Sequence, residues 1–315
     1  MSYTTNTDIS IVVPFFNEET NVEDLHQELM TVLSNLDRTF EIIFIDDGST
    51  DDTYARMKQL APLITVRFRR NFGQTAAFDA GIKQSRGDII ITMDGDRQND
   101  PADMPNLIAK LDEGYDVVSG WRVNRRDSIG KRITSRTANH IRHVLFEDQI
   151  NDSGCGLKAY RRECFANLDL FGEIHRFIPA LLASRGFRVT EIPVNHRPRS
   201  RGTSKYGNVR RGLKSIVDMV SIWYWDNYGA RPLHLFGTTG MILALLGILL
   251  LAWMAIERII IGAHISDRIW PLIGVFSLLM GIQFFMIGIL TELNVKNFFR
   301  THREMNYHIS DIIQN

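Results

Sequence analysis

Short apolar runs alternate with amphipathic segments along the first part of the chain. The apolar runs are typical of buried strands and lie at residues 10–13, 41–45, 65–68, 88–93 and 116–119. Between them, as at residues 22–36, apolar side chains recur at helical spacing, and Asp100 followed by Pro101 predicts a helix start. Because strands that alternate with helices favour mainly parallel sheets, the pattern predicts an α/β domain with helices covering the sheet.

Two long uncharged stretches follow towards the carboxyl end. No Asp, Glu, Lys or Arg occurs between Arg231 and Glu257, nor between Arg268 and Glu292. At the helical rise of about 1.5 Å per residue, each stretch is long enough to cross a hydrocarbon core of about 30 Å. Buried helices of soluble proteins seldom run this far without a charge. The pattern predicts two transmembrane helices, at roughly 234–256 and 269–291.

Positive charge is unevenly distributed around the predicted spans. The connection between the spans carries Arg258 and Arg268, whereas their outer flanks carry Arg210, Arg211, Lys214, Arg231, Lys296, Arg300 and Arg303. Because basic residues favour the cytosolic side, both termini are expected there. The chain starts with neither a basic segment nor a long apolar run, so no cleavable signal peptide is expected. The sequence predicts a multi-pass protein of the cell (inner or plasma) membrane with a cytosolic N-terminal domain.

The segment before the first span predicts helices that lie along the membrane surface. Apolar residues recur at helical spacing from Val209 to Val220, and Trp223, Tyr224 and Trp225 follow. This pattern is typical of helices in the headgroup layer, although an ordinary core helix has the same spacing. We therefore expect four parts, which are a cytosolic domain at 1–206, juxtamembrane helices at 207–232, two spans within 233–292 and a cytosolic tail at 293–315.

Charge balance and cysteine content narrow the classes of partner. The chain has 36 basic and 36 acidic residues, which argues against a protein that coats a nucleic acid. Cys155 and Cys164 have neither metal-ligand spacing nor a CxxC arrangement, so they are expected to be reduced packing residues. We expect the membrane as a partner and no nucleic acid.

Polar residues follow each of the first four predicted strands. Asn17 and Glu18 follow the first strand, shortly after Pro14, and then come Asp46 after the second, Arg70 after the third, and Asp94, Asp96 and Gln98 after the fourth. Because the carboxyl ends of parallel strands share one edge of a sheet, these residues are expected to meet in one crevice. Two carboxylates one residue apart suit a divalent cation that carries a diphosphate, although Asp-Gly-Asp alone is also typical of a solvated turn.

Five segments carry the most specific pattern in the chain. They are residues 13–18 (VPFFNE), 46–51 (DDGSTD), 70–74 (RNFGQ), 94–101 (DGDRQNDP) and 199–206 (RSRGTSKY). In these segments, and over nearly its whole length, the chain resembles family 2 glycosyltransferases of the GT-A fold, and more closely the polyisoprenyl-phosphate glycosyltransferases. The resemblance implies a GT-A (Rossmann-like) sheet domain followed by interfacial helices and two C-terminal transmembrane helices. It also implies that the protein is an enzyme, a glycosyltransferase.

The resemblance also implies that a nucleotide-sugar donor binds in the crevice. The residues that it assigns to the donor are Pro14, Asn17, Glu18, Asp46, Asp94 and Gln98. It assigns Mg²⁺ or Mn²⁺ to Asp94, Asp96 and Gln98, whose oxygen atoms suit either ion. Arg97 stands where many of these relatives have leucine, and its side chain is expected to point into solvent without a role.

An anionic lipid phosphate is the acceptor that the resemblance implies. The cations assigned to it are Arg122, Arg136, Arg176, Arg201 and Lys205. Taken alone, such residues are also typical of a solvated basic surface or of headgroup contacts. Asp152 resembles the acid that relatives keep near the acceptor and joins Asp94 and Asp96 as a catalytic candidate, although an acid close to a glycine is also common in turns.

Together these assignments predict the transfer of one sugar to a polyprenyl (undecaprenyl or dolichyl) phosphate at the cytosolic membrane face. The reaction is expected to need a metal and to invert the anomeric centre. UDP-glucose is the expected donor because the resemblance includes bactoprenol glucosyltransferases. Two alternatives remain: a processive polysaccharide synthase, although the chain has no QxxRW segment, and a non-catalytic membrane-tethered protein that binds sugar nucleotides.

Glycine recurs every seven residues in both predicted spans. The positions are Gly240 and Gly247 in the first span and Gly274, Gly281 and Gly288 in the second. A face of glycines allows helices to pack closely, although glycine is frequent in membrane helices anyway. We expect these faces to form either an intramolecular hairpin or a homo-oligomer contact.

Overall fold

The structure is a computed structural model that forms two compact units, Met1–Val220 and Ser221–Asn315. The residues that it describes are 7–123, 150–166, 168, 170, 172, 174–198, 217, 220–221, 223–225, 227–229, 231–262 and 268–302.

The first unit contains a seven-stranded sheet with strand order β3-β2-β1-β4-β6-β5-β7. The strands are β1 (Ile9–Phe15), β2 (Phe40–Asp46), β3 (Ile64–Arg67), β4 (Ile89–Thr92), β5 (Val117–Trp121), β6 (Lys158–Arg161) and β7 (Val189–Pro193). Strand β6 runs antiparallel to β4 and β5, and the other pairs are parallel. The predicted mainly parallel sheet is confirmed with all five predicted strands, while β6 and β7 were not predicted.

Among the described residues, five α-helices of the first unit and two of the second have defined bounds. They are α1 (Val22–Leu33), α2 (Thr53–Met57), α3 (Gln74–Gln84), α4 (Met104–Asp112), α5 (Ile178–Ser184), α6 (Pro232–Ile261) and α7 (Trp270–His302). The predicted helix start at Asp100 is confirmed, because its side chain accepts a hydrogen bond of 3.0 Å from the Ala102 N–H. A short 3₁₀ turn, Pro101–Asp103, leads from this cap into α4.

The core sits on both faces of the central strands. Strands β1 and β4 are buried along their whole length, and Leu25, Leu29 and Leu33 of α1 pack into the same core. Burial of one such leucine contributes about 1.5–3 kcal/mol. In the register of the sheet, Phe15 pairs with Asp46, so the loops after β1 and β2 leave the sheet at one level. A rigid core therefore fixes where the polar loops begin.

The second unit is a pair of long helices packed against each other through glycines. A Cβ atom added at Gly240 would lie 2.6 Å from the Gly281 carbonyl oxygen, and one at Gly247 would lie 2.8 Å from that of Gly274. Real Cβ atoms do not approach so closely, so these glycines permit the contact. The expected intramolecular hairpin is confirmed, and a homo-oligomer contact stays a prediction.

Helices α6 and α7 are long and apolar enough to cross a membrane, over Pro232–Ile260 and Trp270–Asn297. The predicted span 234–256 lies inside α6, whereas the predicted span 269–291 begins one residue before α7, which continues past the predicted end to His302. Part of the predicted juxtamembrane segment is helical, including residues 220–221 and 223–225, and most of the rest lies outside the described residues. The four-part division of the chain stays a prediction.

Candidate active site

The loops at the carboxyl edge of the sheet enclose a cleft with a volume of about 220 Å³. Five of the predicted site residues line it, namely Pro14, Glu18, Asp94, Asp96 and Arg176. The expected meeting of polar residues at this edge is therefore observed for loops that follow β1 and β4. Asn17, Asp46, Gln98, Arg122 and Asp152 lie around the cleft without lining it.

Asn17 ties the loop after β1 to the loop after β2. Its side-chain oxygen accepts a hydrogen bond of 2.8 Å from the Thr50 N–H, and its own N–H donates to Ser49 Oγ at 2.9 Å. Its φ is 54°, a left-handed conformation that asparagine tolerates better than most residues. The adjacent Glu18 N–H donates to Thr53 Oγ1 at 2.9 Å. In this structure Asn17 does not line the cleft but holds the loop that places Glu18 at its wall.

Asp46, the residue predicted to read the base, is wholly buried at the end of β2. One carboxylate oxygen accepts a hydrogen bond of 2.9 Å from the Ser49 N–H. The other lies 3.3 Å from Arg67 Nε and has no hydrogen-bond partner among the described residues. Because a buried carboxylate oxygen without a donor is costly, this atom is suited to accept a hydrogen bond from a ligand.

Asp47, which sequence reasoning did not single out, lines the cleft and organises the start of α3. It accepts hydrogen bonds from Asn71 Nδ2 at 2.9 Å, from the Phe72 N–H at 2.7 Å and from the Gly73 N–H at 3.0 Å. Burial raises the pKa of Asp47, against the lowering effect of the backbone donors, and the nearby Asp46 charge raises it further. In the sequence, the feature that could have pointed to Asp47 is its place as the second acid of the DDGS segment.

Asp94 and Asp96, the predicted metal ligands, emerge directly after β4. Asp94 Oδ1 accepts a hydrogen bond of 2.6 Å from Gln74 Nε2, and Asp96 Oδ1 accepts one of 3.1 Å from the Gln98 N–H. A Cβ atom at Gly156 would lie 2.2 Å from Asp94 Oδ2, so a side chain at this position would displace the carboxylate. The pair is thus held in place by neighbours on three segments.

The electrostatics of this pair favour a cation. Burial raises the pKa of Asp94 to about 6, and the Asp96 charge adds to the increase, while Arg122, Gln74 and Lys158 oppose it. Among the described residues, no group of three or more His, Cys, Asp or Glu forms a closed metal site. Two carboxylates that open into a cleft fit an oxygen-bound Mg²⁺ or Mn²⁺ that takes further ligands from a diphosphate. The metal roles of Asp94, Asp96 and Gln98 stay predictions.

Arg122 and Asp152 form a two-pronged ion pair beside the cleft. Arg122 Nε lies 2.7 Å from Asp152 Oδ2, Nη2 lies 2.9 Å from Oδ1, and each side chain is 11% exposed. Burial alone would lower the pKa of Arg122, but the Asp152 carboxylate raises it well above its usual value. Asp152 therefore fixes the guanidinium that was predicted to contact the acceptor, and both predicted roles remain untested.

Lys158, which the sequence analysis missed, places a buried cation in the cleft. Its Nζ donates to the Ser153 carbonyl at 3.2 Å and to the His175 carbonyl at 3.3 Å. In the register between β4 and β6 it pairs with Thr92, two residues before Asp94. Burial lowers the pKa of Lys158 to about 8, while the thiol of Cys155 and the carboxylates of Asp94 and Asp152 oppose the change. In the sequence, the feature that could have indicated Lys158 is the presence of a single lysine in the otherwise uncharged run GCGLKAY.

Four of these residues interact electrostatically with one another, and we call them the charged cluster: Asp94, Arg122, Asp152 and Lys158. Arg176 lines the same cleft, next to His175, whose Nδ1 lies 2.7 Å from Thr75 Oγ1. Arg136, Arg201 and Lys205 lie outside the described residues, so their assignment to the acceptor phosphate stays a prediction.

The expectation that Arg97 points into solvent is wrong. Its guanidinium pairs with Asp24 and with Glu28, both on α1, and its side chain is 23% exposed. The pattern of acids on α1 could have indicated these partners only with knowledge of how α1 packs beside the loop after β4.

Comparisons with known proteins agree with this geometry. The family model described as glycosyl transferase family 2 matches residues 10–168. Dodecaprenyl-phosphate galacturonate synthase of Rhizobium johnstonii is 38% identical over 314 residues, which cover 97% of this chain and 93% of that protein. Undecaprenyl-phosphate 4-deoxy-4-formamido-L-arabinose transferase of Pseudomonas syringae pv. syringae is 36% identical over 290 residues, which cover 90% and 84%.

Solved structures share the fold of the first unit. Glucosyl-3-phosphoglycerate synthase from Mycobacterium tuberculosis, in complex with Mn²⁺, UDP and glucosyl-3-phosphoglycerate, aligns with a TM-score of 0.55 at 20% identity. The alignment covers 70% of this chain and 80% of that one. The same enzyme with Mg²⁺ and UDP gives 0.55 at 21% identity, covering 70% and 79%. The likeness confirms the predicted GT-A fold.

Proposed function

Since the chain belongs to glycosyl transferase family 2, we propose that it transfers one sugar from a nucleotide-diphosphate sugar to a polyprenyl phosphate. The observation that carries this proposal is the carboxylate pair Asp94 and Asp96 in a cleft that also holds the buried ammonium of Lys158. The relatives named for dodecaprenyl and undecaprenyl phosphate support a polyprenyl phosphate as the acceptor.

The chemistry asks for positive charge beside the leaving group. In the transfer, an oxygen of the lipid phosphate forms a bond to the anomeric carbon, while the bond from that carbon to the nucleotide diphosphate breaks. Attack from the opposite face inverts the anomeric centre. A divalent cation at Asp94 and Asp96 would supply charge to the departing diphosphate. Lys158 supplies a second, fixed positive charge in the same cleft.

The acceptor needs orientation more than activation. A lipid phosphate is already an anion, so it needs no strong base to become a nucleophile. Arg122 suits its recognition because a guanidinium binds phosphate oxygens through two parallel N–H groups. In the structure Asp152 holds Nε and Nη2, and we propose that it thereby orients the remaining N–H groups of Arg122 towards the acceptor.

For the donor we propose a UDP-sugar. The solved neighbours include complexes with UDP and with UDP-glucose, which supports uridine. UDP-glucose remains a donor candidate, and UDP-galacturonate stands beside it because of the galacturonate synthase relative. The cations Lys158 and Arg176 in the cleft offer counter-charges for a uronate carboxylate.

The place of the reaction follows from the acceptor. We propose that α6 and α7 cross the cell membrane, where polyprenyl phosphates reside, with both termini and the first unit on the cytosolic side. The basic flanks of the two helices support this orientation.

A transfer assay with the full chain in membranes tests the proposal. Labelled UDP-glucose or UDP-galacturonate with undecaprenyl phosphate and Mn²⁺ should give a chloroform-extractable product. A labelled insoluble polymer would indicate a processive synthase, and donor binding without transfer would indicate a non-catalytic binding protein. Asp96→Asn should abolish turnover without lowering the unfolding midpoint. Undiminished activity of this variant would refute the metal assignment.

A further inference from the structure

The turn that carries the candidate metal ligands has an unusual backbone conformation. Arg97 follows Asp96 directly and has a φ of 59°, in the left-handed region that non-glycine residues avoid. This conformation costs about 1–2 kcal/mol. The same turn is closed by the hydrogen bond from the Gln98 N–H to Asp96 Oδ1. The backbone angle at Arg97 and the direction of the Asp96 carboxylate are therefore set together.

Two arginines and one glutamate hold this turn from outside. Arg97 Nη2 donates to Glu28 Oε1 at 2.6 Å, and its Nη1 pairs with Asp24. The other oxygen of Glu28 accepts from Arg197 Nη1 at 2.7 Å. Arg197 Nη2 then donates to Asp100 Oδ1 at 2.6 Å. A continuous chain of ion pairs thus runs from α1 to both ends of the segment 97–100.

The backbone ties the same pieces together. The Arg197 N–H donates to the Gln98 carbonyl at 2.9 Å, and Asn99 forms an isolated β-bridge with His196. Arg97 and Glu28 are about one quarter exposed, so their pairing is screened less than an open surface pair. Five charged side chains therefore meet around a single strained turn, and they are Asp24, Glu28, Arg97, Asp100 and Arg197.

We propose that Arg97, Glu28 and Arg197 form a clamp, with Glu28 at its centre, that fixes the direction of the Asp96 carboxylate for binding a divalent cation. In this role they are positioning residues, because they act through Asp96 and do not touch the reacting groups. The inference rests on the proposed function, since it requires a cation at Asp94 and Asp96. It gives a role to Arg97, to which the sequence pattern assigned none.

Glu28→Gln in the full-length protein tests the clamp, because it keeps the side chain's size and removes its charge. The readout is Mn²⁺ affinity at saturating UDP, measured by electron paramagnetic resonance, together with UDP affinity measured without metal. We expect Mn²⁺ binding to weaken about tenfold, the lower end of what loss of outer-sphere partners costs a metal site. Metal-free UDP affinity should stay unchanged, since the clamp does not contact the nucleotide.

Matched variants separate the clamp from general effects. Glu23→Gln removes an acid from the same helix, whose partner Arg56 lies in a separate exposed pair, and should leave Mn²⁺ affinity unchanged. Arg97→Gly relieves the backbone strain but removes the side chain, so it should weaken Mn²⁺ binding as Glu28→Gln does. Arg97→Lys keeps the charge but lacks the two parallel N–H groups of the guanidinium, so its Mn²⁺ affinity should be intermediate. This variant replaces Glu28→Gln as the test if Glu28→Gln fails to fold.

The outcomes distinguish the clamp from the function on which it rests. Unchanged Mn²⁺ affinity in Glu28→Gln and Arg97→Gly, with metal bound normally by the wild type, would overturn the clamp alone. Absence of Mn²⁺ binding in the wild type would overturn the proposed metal dependence and the clamp with it.

Discussion

The two sides of the cleft are built on opposite electrostatic principles. On the side of β1 and β2, hydrogen bonds tie the loops together, as where Asp47 accepts three from residues 71–73. On the side of β4 and β6, the charged cluster is buried and its pKa values are displaced. The first arrangement stabilises the loops. The second buries charged groups at a cost in folding free energy, at positions that suit the binding of charged substrates. Substitutions on the two sides should therefore fail in different ways.

The largest effect is expected from Asp94→Asn, which keeps the shape of the side chain but removes its charge. Activity should fall by about 10³-fold, equivalent to about 4 kcal/mol of lost transition-state stabilisation, because the cation and Lys158 lose their shared partner. Steady-state kinetics of the purified protein measure the change. Asp37→Asn, an exposed acid between α1 and β2, is the control and should retain activity. A loss of less than tenfold in Asp94→Asn would contradict the assigned role.

Lys158→Met should have the next largest effect, a fall in kcat of about 10²-fold, because a buried positive charge beside the leaving diphosphate is lost. Lys158→Arg should recover part of this activity, since it restores the charge with a different shape. Lys110→Met, on the exposed face of α4, removes a lysine far from the cleft as a control. If kcat is unchanged and only the unfolding midpoint moves, Lys158 is a structural residue.

On the opposite side of the cleft, Asp47→Ala should act mainly on stability. Three donors at the start of α3 would lose their acceptor, at a cost of about 2 kcal/mol, or a fall in unfolding midpoint of about 4–8 °C. Differential scanning fluorimetry in detergent measures it. Asp47→Asn, which keeps one acceptor oxygen, should lose less. A large fall in kcat without a change in midpoint would show that the contrast between the two sides is wrong.

The same contrast explains what the sequence could predict. Strands such as β1 and β4 are continuous apolar runs, so their ends, and with them Asp94 and Asp96, could be located from the pattern alone. Strand β6 has only four residues and begins with Lys158, and β7 carries Glu191 at a half-buried edge, so neither shows a clear period. Their pairing, the burial of Lys158 and the partners of Arg97 depend on contacts between distant segments, which periodicity does not contain.

The smallest predicted effect is a pH dependence of stability that comes from the charged cluster. In the folded protein the pKa of Asp94 is about 6, above its ordinary value of 3.8. Between these values the folded state binds more protons at Asp94 than the unfolded state does, so the stability that Asp94 contributes is greatest below about pH 4 and is lost as pH rises through 6. Asp94→Asn removes this titration. Without metal, the variant should therefore lack the extra stability that the wild type has at low pH. At pH 7 the variant should be the more stable of the two proteins.

The expected difference between wild type and Asp94→Asn is about 1 kcal/mol, because water in the cleft screens much of the full shift. Other groups titrate in this range, including Asp47, whose pKa is also raised, but they are common to both proteins and cancel in the comparison. Lys158, with its pKa lowered to about 8, stays protonated between pH 4 and 6 and adds no slope there. If the unfolding midpoints of the two proteins change in parallel with pH, the pKa of Asp94 is not raised in the folded state. The two sides of the cleft would then differ in hydrogen bonding alone.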